Sequence, residues 1–117
     1  MDSLRTRIES DERSTVVYLR GRLDIESSPH LRDQLLAILR RQSPPESIAI
    51  DMAAVSYIDT SGVATLVEAL KIARIGAIAM HLQGLQGRLL HFFQATGIGS
   101  LFGADGPVDN ISTTVVS

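Results

Sequence analysis

Asp51-Met52-Ala53-Ala54-Val55-Ser56-Tyr57-Ile58-Asp59-Thr60-Ser61-Gly62-Val63 is the stretch in which two hydrophobic rhythms meet. At its head, Ser47-Ile48-Ala49-Ile50-Asp51 reads as a short apolar strand. Beyond it, residues 63–74 repeat apolar side chains at helical spacing, with Val63, Leu66, Val67, Leu70 and Ala73 on one face. Glu68 and Lys71 are expected to pair at i, i+3 on the opposite face. A turn is expected between strand and helix. Asp59, Thr60 and Ser61 all carry oxygens that accept hydrogen bonds from the free N–H groups of a first helical turn, so any of the three can be the N-cap. Gly62 lets the backbone enter the helix with no side chain in the way. Taken alone, these residues support two readings. One is a well-capped helix start and nothing more. The other uses the positive end of the helix macrodipole, which favours an anion such as a phosphate added to either hydroxyl.

Upstream, residues 4–8 read as an edge strand with Leu4, Thr6 and Ile8 on one face, and residues 15–20, rich in β-branched and aromatic side chains, as a second strand. The polar run between them makes a hairpin the simplest connection. Gly21 is expected to end the second strand, so that Gly21-Arg22-Leu23-Asp24 delivers Asp24 to the end of the sheet. Ser27 or Ser28 caps the next helix, with Pro29 in its first turn and Leu31, Leu35, Ile38 and Leu39 as its apolar stripe. Pro44-Pro45 bars its continuation.

Downstream, Gly76 is expected to close the helix, and residues 77–82 to form an apolar strand of the kind covered on both faces. Residues 85–95 read as a third helix stopped at Gly97, and residues 98–102 as a candidate last strand. The order β-β-α-β-α-β-α implies one α/β domain over residues 1–103, a mostly parallel mixed sheet of four to five strands with helices packed on it. Residues 104–117 form a tail of unassigned structure. In such sheets, ligands and partners are met where strands end and helices begin, and Asp24 and Thr60 both hold that kind of position.

Composition removes several functions. At 117 residues the chain is long enough for one core and too short for two. A net charge of −2 takes away the electrostatic reason to expect direct nucleic-acid binding, and 4 % aromatic residues make a poor base-stacking platform. Without cysteine there are no disulfides, thiolate metal sites or thiol nucleophiles. The first residues lack the apolar core of a signal peptide, and no apolar run is long enough for a membrane span, so a cytoplasmic chain without membrane insertion is expected. No Gly-x-Ser-x-Gly elbow or Gly-x-x-x-x-Gly-Lys loop is present, and His30, His81 and His91 lack metal-ligand spacing. No catalytic residue, metal or cofactor is therefore assigned. A nucleotide-binding reading has only the helix start behind it.

Gly21-Arg22-Leu23-Asp24 after a strand, Ile48-Ala49-Ile50-Asp51, the run from Val55 to Val63, Gly76 before a strand and Thr96-Gly97-Ile98 after a helix together resemble the STAS domain of bacterial anti-sigma factor antagonists, over residues 4–102. The resemblance implies a single STAS-like domain acting as a phosphorylation-switched binding module and not as an enzyme. It implies that Thr60, directly after the motif's aspartate, is phosphorylated by a serine/threonine-kinase anti-sigma factor. The unphosphorylated form then sequesters that kinase and frees a sigma factor, and a phosphatase reverses the modification. Asp24, Asp59, Ser61 and Gly62 carry over as partner-binding residues. The runner-up implication is a STAS subunit of a lipid-type ABC transport complex that docks on its ATPase. Two departures stand out. Threonine occupies the position where many antagonists have serine, and residues 107–117 do not read as the amphipathic helix with which the family usually finishes.

Overall fold

Alternating burial over β2 (Ser14–Leu23) sets the two faces of the sheet: Thr15, Val17, Leu19 and Leu23 are buried on one, while Tyr18, Arg20 and Arg22 stand on the other. In the computed structural model, which describes residues 3–98, β1 (Arg5–Ser10) lies antiparallel on one side of β2 and β3 (Ser47–Ile58) parallel on the other. β4 (Ala79–Gln83) runs parallel to β3 and completes the order β1-β2-β3-β4. At the hairpin, Asp11 Oδ1 accepts the N–H groups of Arg13 and Ser14 at 2.8 Å each, the local bonding that makes aspartate a turn former. The N–H of Ser14 is the largest of the influences that hold the Asp11 carboxyl below its ordinary range.

The parallel pairs need crossovers, supplied by α1 (Ser28–Leu39) and α2 (Thr60–Ile75), with α3 (Gly87–Thr96) after β4. Leu31, Leu35 and Ile38 of α1 and Leu66, Leu70 and Ala73 of α2 form one core with Val17, Leu19, Ile48, Ile50 and Leu82 of the sheet, joined by Phe93 of α3. α1 and α2 lie side by side, and Arg32 Nε and Nη2 reach the two carboxylate oxygens of Glu68 at 2.8 and 2.9 Å. Glu68 therefore turns toward α1 instead of pairing with Lys71 on its own helix. A forked guanidinium satisfies both carboxylate oxygens, which an ammonium one turn away cannot do.

The element order agrees with the sequence reading, while the extent of some elements and the faces of β4 differ from it. β2 does not end at Gly21: the glycine takes φ 103°, the register slips between Gly21 and Arg22, and pairing resumes to Leu23. β3 does not end at Asp51 but continues to Ile58, because its second half pairs with the prolonged β2 (Gly21 with Val55, Leu23 with Ile58). β4 is not apolar on both faces, since exposed Ala79 and half-buried His81 and Gln83 alternate with buried Met80 and Leu82. α1 ends at Leu39, short of the proline pair. The candidate strand at residues 98–102, the boundary at 103 and the tail lie beyond the described residues, except for Ile98.

Candidate functional site

Where β3 hands over to α2, one carboxylate gathers three pieces of chain. Asp59 sits in extended conformation at the N-cap, and its Oδ1 accepts the Gly62 N–H at 3.1 Å and the Ser61 hydroxyl at 2.6 Å. Its Oδ2 accepts the Ile25 N–H at 3.2 Å from the loop after β2, and its own N–H donates to the Leu23 carbonyl at 3.2 Å. The Ser61 hydroxyl, then the N–H groups of Gly62 and Ile25, hold the Asp59 carboxyl below the usual carboxylate range against the opposing effect of burial. The cap that the sequence left open among three residues is thus Asp59.

Thr60 and Ser61 face different ways. Thr60 is the first residue of α2, is exposed, and its hydroxyl makes no hydrogen bond with another described residue. Ser61 turns inward, donating to Asp59 and lying 3.2 Å from Ser28 Oγ in the first turn of α1. Ser28 is buried and donates to the Asp24 carbonyl at 2.6 Å. Each hydroxyl has one proton and each has an acceptor at 2.6 Å, so the 3.2 Å contact is close oxygen packing with no proton of its own.

Asp24 shapes the loop beside this junction. Its Oδ1 accepts the N–H groups of Glu26 and Ser27 at 3.0 and 3.2 Å, and its Oδ2 lies 3.5 Å from Arg22 Nε. Ser27 occupies the cap position of α1 without capping it: its hydroxyl donates to the Arg22 carbonyl at 2.9 Å and accepts the Asp24 N–H at 3.0 Å. Neither serine offered by the sequence provides a side-chain cap there, because both are spent on the β2–α1 loop. Gly62 is buried where α2 presses on the end of β2. A Cβ there would lie 2.7 Å from the Leu23 carbonyl oxygen, 2.8 Å from Leu23 Cγ and 2.9 Å from Ile58 Cγ1. Its contribution to the site is this close approach.

Asp24, Asp59, Thr60, Ser61 and Gly62 therefore converge on one end of the sheet, joined by backbone and side-chain bonds across the β2–α1 and β3–α2 connections. Sequence reasoning took Ser28 only as a candidate helix cap, and it passed over the exposed apolar rim. Ile25 is 71 % exposed between two acids, and Tyr57 is 41 % exposed beneath the Arg22 guanidinium, 4.0 Å from its ring centroid. An isoleucine inside a polar loop was the available signal for the first. No histidine is hydrogen-bonded to Thr60: His30 lies on α1, His81 on β4 with its pKa pushed down by burial, and His91 on α3. Among the described residues, no group of three or more His, Asp or Glu could hold a metal, and no helix is long and apolar enough to cross a membrane. The Thr60 hydroxyl is thus accessible and has no base bonded to it among the described residues.

Residues 5–117 match the family model described as the STAS domain. The chain is 25 % identical over 96 residues to the anti-sigma-B factor antagonist of Bacillus subtilis (strain 168), covering 82 % of this chain and 85 % of that protein. It superposes on an anti-sigma factor antagonist from Mycobacterium paratuberculosis with a TM-score of 0.75 at 22 % identity, over 86 % of this chain and 84 % of that one. On the phosphorylated form of the Bacillus cell fate determinant SpoIIAA, the TM-score is 0.67 at 20 % identity, over 82 % and 86 % of the two chains. The structural likenesses establish the fold, and with the family match spanning nearly the whole sequence, this chain belongs to the STAS domain family.

Proposed function

We propose that this domain is an anti-sigma factor antagonist, switched by reversible phosphorylation of Thr60. The observation that carries the reading is the division of labour at the helix start. Thr60 presents an unengaged, exposed hydroxyl, while Asp59 and Ser61 are turned inward to hold the junction. A kinase needs an accessible hydroxyl, and the Thr60 hydroxyl is not itself a donor or acceptor in the bonds that fix the site. The name of the Bacillus subtilis relative supports the antagonist part of this reading.

The switch acts by local charge. Phosphate adds about −1.5 to −2 units of charge and three acceptor oxygens. At Thr60 it would meet the positive end of α2 from within, yet turn outward a surface already bearing Asp24, Glu26 and Asp59. A partner that lays an acidic or apolar surface on the bare hydroxyl and the loop from Asp24 to Glu26 is excluded once the phosphate is present, by like-charge repulsion or by the cost of burying the phosphate. Asp24, Asp59 and Ser61 serve that partner by fixing the loop and the helix start, and Gly62 by seating the helix. The partner is a serine/threonine-kinase anti-sigma factor, a phosphatase resets the switch, and the work is done in the cytoplasm by binding and not by catalysis.

Mass spectrometry of the protein isolated from its own cells tests the assignment. Phosphate is expected on Thr60 in the wild type, retained in Ser61→Ala and absent from Thr60→Ala. A Thr60→Ala protein still modified at this junction would sink it. Capture from the same cells is expected to recover a kinase with the wild type and to lose it with Thr60→Glu. Recovery of a transporter ATPase instead would favour the transport-subunit reading.

A further inference from the structure

β1 is an edge of the sheet, and among the described residues no strand pairs with its outer side. A bare edge presents free N–H and C=O groups to any passing strand unless charges keep it apart. Here the charges follow a pattern. Arg5, Arg7 and Glu9 share one face, opposite Arg20, Tyr18 and Val16 of β2, and Asp11 follows in the turn. Thr6, Ile8 and Ser10 share the other face, and Ile8 is 39 % exposed at the rim. Read outward from Ile8, each cation on one side has an anion at the same distance on the other.

We infer that β1 pairs antiparallel with β1 of a second copy of this chain, about a two-fold axis at Ile8, joining two four-stranded sheets edge to edge. Ile8 then meets its own copy, Arg7 meets Glu9, Thr6 meets Ser10, and Arg5 comes opposite Asp11 at the margin. With the same face up in both copies the axis must pass through a residue pair, and every other choice is electrostatically worse. An axis at Arg5, Arg7, Glu9 or Asp11 sets a charge against itself. At Thr6 it sets Arg5 against Arg7, and at Ser10 it sets Glu9 against Asp11. Like charges directly opposite across a ladder destabilise it, so the Ile8 register is selected by exclusion as well as by attraction. Within one chain Arg7 already pairs with Glu9 and lies over the Tyr18 ring at 4.1 Å, with the side chains of Arg7 and Glu9 62 % and 56 % exposed. Exchanging an intrachain partner for the copy's identical group costs little desolvation.

The contact is isologous and closes at two chains, so it makes a dimer and no fibre. Strands of six residues bury a small area, which places the dimer among weak, concentration-dependent associations. It uses the outer edge of β1, which β2 separates from β3, and stands or falls independently of Thr60 phosphorylation.

Sedimentation of the full chain over a concentration series tests it. The weight-average mass of the wild type is expected to climb toward twice that of one chain. Arg7→Glu and Glu9→Arg are each expected to lose the dimer, their equimolar mixture to regain it as a heterodimer, and the double variant to dimerise like the wild type. Circular dichroism checks that each exposed substitution leaves the fold intact. A wild type that stays monomeric at its highest soluble concentration overturns the inference. So do single variants that dimerise as well as the wild type, a mixture that fails to associate, or a monomeric double variant.

Discussion

Gly62 and Asp59 divide the helix start between shape and charge. Any side chain at position 62 meets a backbone carbonyl at 2.7 Å, and a carbonyl in a paired strand cannot step aside as a flexible side chain can. Gly62→Ala is therefore expected to destabilise the fold by about 1–3 kcal/mol, the ordinary cost of overpacking, measured as a lowered urea midpoint. Asp59 acts through its ionised form. Its carboxyl pKa is depressed in the folded state, first by the Ser61 hydroxyl, so the stability it adds is complete above the unfolded pKa of about 3.9 and fades as pH falls through the lower folded value. Asp59→Asn removes the charge and keeps the shape. The stability gap between it and the wild type is expected to be level from neutral pH down to the ordinary carboxylate range and to narrow below it; a gap unchanged in acid would show that ionisation is not the cause. At this scale the sequence named the residues of the helix start and left open what each does there. Asp59, Thr60 and Ser61 are equally good caps by residue type, and what separates them is the Ile25 N–H and the Leu23 carbonyl, supplied from over thirty residues away in the chain.

The C-terminus of α2 closes at Gly76, as the sequence reading expects, but its left-handed residue is the next one. Gly76 keeps a negative φ of −89°, and it is Ala77 that turns left-handed, at φ 58°. Ala77 N–H donates to the Arg74 carbonyl and Ile78 N–H to the Ala73 carbonyl, the paired bonds of a Schellman ending whose left-handed position is normally glycine. The exchange Gly76→Ala with Ala77→Gly is thus expected to stabilise the domain by about 1 kcal/mol. A Cβ at position 76 would find Ile78 Cδ1 at 3.7 Å, an ordinary contact, and the strain at position 77 would go. A fall in the thermal midpoint of the double variant would refute this account. β3 was under-read for a related reason. Ala53, Ala54 and Ser56 break the alternation that marks a half-buried strand, and the register slips that accommodate them depend on β2 running alongside, which no local window contains.

Across the molecule, the order of elements was legible because crossovers leave long, distinct periodicities, and the two connections that follow β2 and β3 fall at the same end of a parallel sheet by construction. That geometry brings Asp24 and Asp59 together from the sequence order alone, whereas the polar character of β4's second face was hidden in a run of small and apolar residues. It also decides how far a charge at Thr60 reaches. The residue is exposed, whereas Gly62 and Val63 are buried and Leu66 belongs to the core that includes Leu23, Val55 and Phe93. A close-packed interior does not deform continuously, so a new surface charge at the helix start can reorganise only what is held by exposed hydrogen bonds: the first turn of α2 and the loop from Asp24 to Ser28. Hydrogen exchange on Thr60→Glu is expected to change at the amides of Ile25, Glu26, Ser27 and Gly62 and to stay at wild-type values in β2, the first half of β3 and the middle of α2, with the urea midpoint little moved. Partner capture lost together with protection across the central strands would mean that the substitution unfolds the domain. Capture lost with those strands unchanged is what a charge-controlled docking surface on a rigid scaffold requires.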